Sequence, residues 1–345
     1  MLDQKNPKIR KNFSVVVHNP DLVEIRTGIW NIFSHVIEDE GKEGKLFEIV
    51  KLLLTGNLST QQIAKESSVS RSVVEGVIDQ LAQLGAIETS PASAFDYYLE
   101  QTAMMLNRRQ VELSKKLKRP ILLLGSGVLT DEIERTLFAN IEDPQQIQRL
   151  DPLSILSSDT EWVENGLEFE KKLTLFEPWK DYLWVCVNEI INPIITGQIN
   201  RIAFALNINW LHVAIDGPLI FVGPLFRGGD GPCYNCFEKR ITMNLREKDS
   251  YKNYKLALIN QQVHFGKKAQ FPALNSLVAS FTVMEILNFS LTECAHTYKK
   301  ALSIYLPTME IVYNDLLQLS SCEVCSTVIH GEKQQLYFDI QTLLK

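Results

Sequence analysis

Two cysteine pairs constrain this chain more than any other feature. Gly231-Pro232-Cys233-Tyr234-Asn235-Cys236 holds one C-x2-C, and Cys322-Glu323-Val324-Cys325 holds a second far downstream. Each knuckle can aim two sulfurs at one point, and two knuckles complete the tetrahedral four-sulfur shell of structural zinc. With every position supplied by the protein, such a site is closed to substrate, so its expected role is to clamp the C-terminal segment onto the strand preceding Cys233. Of the remaining cysteines, Cys186 lies in the apolar run LWVCV and reads as core, and Cys294 has no evident partner.

Zinc is preferred over disulfides because of the expected compartment. The N-terminus, MLDQKNPKIRKNFSVVV, opens with polar residues and lacks the apolar core of a secretory signal. Apolar stretches such as WLHVAI and LIFVGPLF break off before they could span a bilayer. A cytoplasmic chain without membrane contact follows, and there paired thiols are more often metal ligands. The chain has 345 residues, 45% hydrophobic and 22% charged, a composition that predicts two or three ordinary globular domains. Its net charge of -6 offers no general attraction for nucleic acid.

Residues 1–90 read as one module. Runs at 13–18, 22–26 and 28–34 are rich in β-branched and aromatic residues and separated by turn signals, which predicts a small antiparallel sheet. A helix follows over 45–56, ending at Gly56, and then two more, Thr60 to Ser67 behind Ser59 and Arg71 to Leu84 behind Ser70. The order is that of a winged-helix-like module. Its last helix carries Arg71 against Glu75 and Asp79, so the phosphate-neutralising charge of a DNA reader is missing. A structural dimerisation module fits the same order of elements. Residues 91–119 read as a linker helix whose basic run, Arg108 to Lys118, complements the helix dipole.

From residue 120 the pattern changes. Continuous apolar strands at 120–124, 147–151, 180–187, 208–215 and 219–226 alternate with helical segments, which predicts an α/β domain with a mainly parallel sheet over 120–345. Gly125, Gly127 and Asp151 stand where a nucleotide turn and its ribose-binding acid would be, but Thr130 takes the third glycine's place. Such turns also occur in domains that bind nothing.

The GSG turn, the segment WLHVAIDGPLIFVGPLFRGGDGPCYNCFEKR over 210–240, the apolar helix from Phe271 and the closing CEVC together resemble the E1-like, or ThiF-like, superfamily. With the N-terminal module, nearly the whole chain is similar to two groups. One is the leader-peptide-binding ThiF-like proteins that serve YcaO-type cyclodehydratases in the biosynthesis of thiazole- and oxazole-modified ribosomal peptides, bacteriocins among them. The other is the microcin C-type adenylating enzyme. The resemblance implies a peptide-recognition module joined to a Rossmann-type E1-like domain with structural zinc on Cys233, Cys236, Cys322 and Cys325, and, by analogy, a homodimer.

The same resemblance bears on chemistry. Asn188 stands where an adenylating enzyme carries a magnesium-binding aspartate, with Glu189 as a substitute one residue on, and the stretch 152–171 lacks an evident Arg-and-Lys phosphate clamp. No cysteine lies between Cys236 and Cys294 to carry a thioester. The expectation is a non-catalytic partner subunit that presents a precursor's core to a separate YcaO-type enzyme; ATP-dependent adenylation of a peptide carboxylate is the alternative. The leader would pair with an exposed strand edge at Ile29, Trp30, Asn31, Ile32, Phe33 and Ser34. Arg71, Val74, Glu75 and Ile78 of the third helix would form the other wall, although Val74 and Ile78 serve equally well as core positions.

Overall fold

The computed structural model describes residues 6–30, 34–88, 98, 117–141, 143–160, 163, 165–266 and 271–326. The chain divides into two compact units, residues 1–110 and 111–345. Apart from Tyr98 and residues 117–119, the expected linker helix lies outside the described residues.

In the first unit β1 (Ser14–Asn19), β2 (Leu22–Arg26) and β3 (Ser34–Glu38) form an antiparallel sheet in that order. Helices α1 (Leu46–Thr55), α2 (Thr60–Ser67) and α3 (Arg71–Gln83) follow. Local signals set these boundaries. Gly56 ends α1 at φ 66°, and a Cβ there would collide with Lys8. Ser59 and Gln62 form a reciprocal capping box on α2, and Ser70 caps α3 through Val73 N. Val23, Ile25 and Ile37 from the sheet meet Leu46, Ile49, Val50, Leu53, Ile63, Val74 and Leu81 from the helices in one core.

The third strand differs from the expected one. It begins at Ser34, because pairing with β2 sets Arg26 opposite Ser34 and Leu22 opposite Glu38. Residues 28–30 instead belong to the connection, where the Arg26 guanidinium donates to the carbonyls of Gly28 (3.0 Å) and Ile29 (2.6 Å). Asn31, Ile32 and Phe33 lie outside the described residues.

The second unit is built on a seven-stranded sheet in the order β10-β9-β8-β7-β6-β4-β5. Strands β4 (Ile121–Leu124), β5 (Ile147–Leu150), β6 (Leu183–Asn188) and β7 (Trp210–Asp216) are parallel. Strands β8 (Leu219–Phe226), β9 (Lys300–Tyr305) and β10 (Glu310–Asp315) add antiparallel pairings, so the sheet is mixed rather than mainly parallel. Strand β10 is exposed along its whole length and lacks the buried apolar face that marks a strand in sequence.

The described helices of this unit are α4 (Val128–Phe138), α5 (Gly166–Phe176), α6 (Pro193–Ala205), α7 (Tyr234–Asn244), α8 (Lys248–Ile259) and α9 (Pro272–Thr292). Leu122, Leu124, Trp184, Cys186 and Trp210 face α6 and α7 in one core, and Ile121, Leu123 and Val185, alternating with them, are equally buried. Strands buried on both faces are why these segments read as continuous apolar runs. Helix α9 is long and apolar enough by composition to cross a membrane, a property the interrupted apolar runs did not suggest; 67% of its apolar window is buried within the protein. Its buried Glu285 carboxylate accepts hydrogen bonds from His296 N, Thr297 N and Thr297 Oγ1, fixing the turn into β9.

Candidate functional site

The four paired cysteines converge. Cys233 caps α7 and Cys236 sits one turn inside it, while Cys322 and Cys325 follow β10. Their sulfurs all lie within 4.8 Å of one another and are buried. The sulfurs of Cys233 and Cys322 are 3.6 Å apart and those of Cys236 and Cys325 are 3.4 Å apart. A disulfide needs about 2.05 Å, whereas metal–sulfur bonds of about 2.3 Å in a tetrahedron separate the sulfurs by about 3.8 Å. The cluster therefore has the donor set and spacing to hold a metal ion.

Packing around the cluster supports the clamping role. Leu319 N donates to Cys236 Sγ (3.4 Å), and Arg240 of α7 donates to Leu317 O (3.0 Å). Hydrogen bonds among the thiols pull Cys236 down to about 6, with Cys233 its main donor. Cys322 is also lowered, again chiefly by Cys233, whereas Cys233 itself is pushed up, most by Cys236. A bound cation would favour the thiolate form of all four.

The glycine turn is occupied by the protein itself. Gly127 caps α4, and the backbone N–H of Leu129 donates to Glu189 Oε1 at 2.5 Å. A Cβ at Gly127 would collide with that carboxylate. The positive end of a helix with free amides is a ready anion site, and here an internal anion fills it. Glu189 is therefore turned to the helix in this structure. Asn188 is also engaged, donating to Cys186 Sγ (3.4 Å) and accepting from Thr196 Oγ1 (3.3 Å). Burial pushes the Cys186 thiol up to about 12, so it remains a neutral core group.

The cavity beside this turn measures about 280 Å³ and is lined by Gly125, Gly127, Asp151, Asn188, Glu189 and Phe265, among others. The carboxylate of Asp151 accepts from Leu153 N (3.0 Å) and starts a short 3-10 turn. Among the described residues no cation lines this cavity. Arg149 donates to Gly125 O and Asp131, Lys171 pairs with Glu168 (2.6 Å), and Lys172 donates to Ile155 O (3.0 Å).

In the first unit β3 is hydrogen-bonded only to β2 among the described residues, leaving its other edge open. Ile29 is 82% exposed and Trp30 98% exposed beside its start, and Val36 on the strand is exposed as well. On α3, Arg71 and Glu75 are exposed and paired at 2.7 Å, and Ile78 is half-buried against the core. Val74 is fully buried, so its place is the core rather than a groove wall; Val73 is the exposed apolar residue beside it. The helical spacing of Val74 allowed either face, and packing into the core shared by the sheet and the three helices decided it.

No family model matches the chain, and no curated protein matches it in sequence. Solved structures do match. A heterocyclase in complex with substrate and cofactor is 18% identical with a TM-score of 0.65, over 93% of this chain and 39% of that one. The heterocyclase TruD is 18% identical with a TM-score of 0.64, over 96% of this chain and 44% of that one. MccB of E. coli, in complex with SeMet MccA, is 13% identical with a TM-score of 0.51, over 93% of this chain and 100% of that one. The chain thus spans less than half the length of these heterocyclases and has the fold they share with MccB, in keeping with the E1-like resemblance.

Proposed function

We propose that this protein binds the leader of a ribosomally made precursor peptide and presents the core to a separate YcaO-type cyclodehydratase, without catalysing a step itself. The open edge of β3, with Ile29 and Trp30 exposed beside it, carries the reading. An unpaired edge offers alternating N–H and C=O groups to an extended peptide, and a protruding aromatic supplies an anchor that main-chain pairing alone lacks. Arg71 and Glu75 on α3 would add polar selectivity.

The four-cysteine cluster is assigned a structural zinc ion held by Cys233, Cys236, Cys322 and Cys325. Zinc there would tie the C-terminal knuckle to the start of α7 and supply no reactive position. The carboxylate of Glu189, bound at the helix N-terminus, argues against a triphosphate in the same place. A second reading, ATP-dependent adenylation of a peptide carboxylate, draws on coverage of the whole of MccB. Pyrophosphate exchange dependent on the precursor peptide would establish it.

The test of the first reading is a titration of the full chain against fluorescein-labelled synthetic leaders of candidate ribosomal precursor peptides. Saturable binding in the micromolar range supports the reading, and absence of binding at tens of micromolar overturns it.

A further inference from the structure

A second cleft, which shares no lining residue with the cavity at the glycine turn, has a composition at odds with the chain as a whole. It lies among α6, α7 and α8, encloses about 500 Å³, and among the described residues is lined by the cations Arg201, Lys239, Lys252 and Lys255 and the carboxylates Glu238 and Glu323. Among the described residues four cations face two anions there, in a chain whose net charge is -6. The two carboxylates are shared. Glu238 accepts from Lys255 (2.7 Å) and from Tyr251 Oη (2.7 Å), while Glu323 lies 3.4 Å from Lys239 and 4.0 Å from Arg201. Lys252 is paired with Asp249, which is not part of the lining.

The wall holds one buried polar group whose bonding is incomplete. Gln198 is 2% exposed, and its Nε2 donates to the carbonyls of Ser157 (2.9 Å) and Asp159 (2.8 Å), which fixes the amide's orientation. Its Oε1 then has no partner among the described residues. That oxygen is closed to solvent, so the Gln198 amide is a rigid point in the wall and not a contact open to a ligand.

Two features decide what kind of anion fits. A compact phosphate is best held by converging backbone amides, but at the N-terminus of α6 the Ile194 and Ile195 amides are already bound to Asn192 Oδ1. The cations are instead distributed over three helices, the arrangement suited to several carboxylates spaced along an extended chain.

We propose that this cleft is a second peptide subsite that takes an acidic, extended segment of the precursor. The identity of the occupant rests on the leader-binding reading above. The four-cysteine cluster would help to shape the site, since Glu323 stands between Cys322 and Cys325 and Lys239 follows Cys236 on α7.

Fluorescence anisotropy of labelled hexaglutamate against the full chain tests this. Saturable binding is expected, absent with hexaglutamine, weakened about tenfold or more by Arg201→Glu with Lys239→Glu, and not reversed by millimolar inorganic phosphate. The exposed Lys252→Glu, less able to disturb folding, should weaken binding by a smaller factor. No binding of hexaglutamate, or its full displacement by phosphate, overturns the proposal. The Trp30→Ala variant separates the two readings, because it should weaken the labelled leader and leave hexaglutamate unchanged. Hexaglutamate binding without leader binding would sink the leader reading and spare the cleft, and the reverse result would do the opposite.

Discussion

Replacing Glu189 with Ala separates a peptide presenter from an adenylating enzyme by the sign of its effect. The carboxylate accepts from Leu129 N at 2.5 Å at the start of α4. A phosphate seeking that amide must displace the carboxylate or sit beside it. Two unit charges about 4 Å apart repel by about 4 kcal/mol at an effective dielectric constant of about 20, close to a thousandfold in affinity. Rotation of the side chain toward solvent would relieve part of this, so a gain of about tenfold to a thousandfold in ATP affinity brackets the expectation. Glu189→Gln should give an intermediate gain. The variant should also lose about 1–2 kcal/mol of stability, since a hydrogen bond to a charged group at a helix N-terminus is removed. Calorimetric titration with ATP, with and without magnesium, reads the affinity. Weak or absent binding in the natural chain, strengthened in the variant, is the predicted result. If the natural chain binds magnesium-ATP and the variant loses it, Glu189 is a metal ligand and the presenter account is refuted.

Two further outcomes follow from buried groups. Burial lowers His212 from 6.5 to about 4, only partly offset by the Gly223 carbonyl, and the ring is packed against Tyr234 and Phe237. The unfolded chain therefore takes up the proton first, and stability present above pH 6.5 is lost as pH falls toward 4, by about 3 kcal/mol in all. Urea unfolding at pH 7.5 and pH 5 should show a loss that is about 2 kcal/mol smaller in His212→Asn; equal losses would show that the ring does not titrate in this way. For the cysteine cluster, metal analysis of purified protein should find one zinc per chain, and Cys236→Ser should lower both zinc content and the thermal midpoint of the second unit. Full stability without metal would remove the clamping role.

What was legible from sequence was local. Ser59, Ser70 and Gly56 marked helix ends because caps act within a few residues, and α2 begins at the position that Ser59 predicted. The two C-x2-C knuckles announced a four-sulfur cluster because the spacing within each pair is itself the geometric constraint. Features set by pairing across the chain were harder to read. Residues 28–34 have strand-like composition, yet hydrogen bonding to β2 placed the strand at 34–38 and left Trp30 outside it. No strand was expected at β10, whose six residues are all exposed. The bond between Leu129 and Glu189 joins residues 60 apart in sequence, and no local pattern announces it. Gln198 carried no signal either, because its role depends on carbonyls of Ser157 and Asp159 brought to it by the fold.

The most direct measurement of the central claim is the affinity of the full chain for its labelled leader, compared with that of the Trp30→Ala variant. Trp30 is almost wholly exposed, so its loss should leave folding intact. As an aromatic anchor it should account for about 2 kcal/mol, or roughly thirtyfold in affinity. Micromolar binding by the natural chain, weakened by about that factor in the variant, is the predicted result. Equal affinities for both proteins would place the leader elsewhere, and no binding by either at tens of micromolar would contradict peptide presentation altogether.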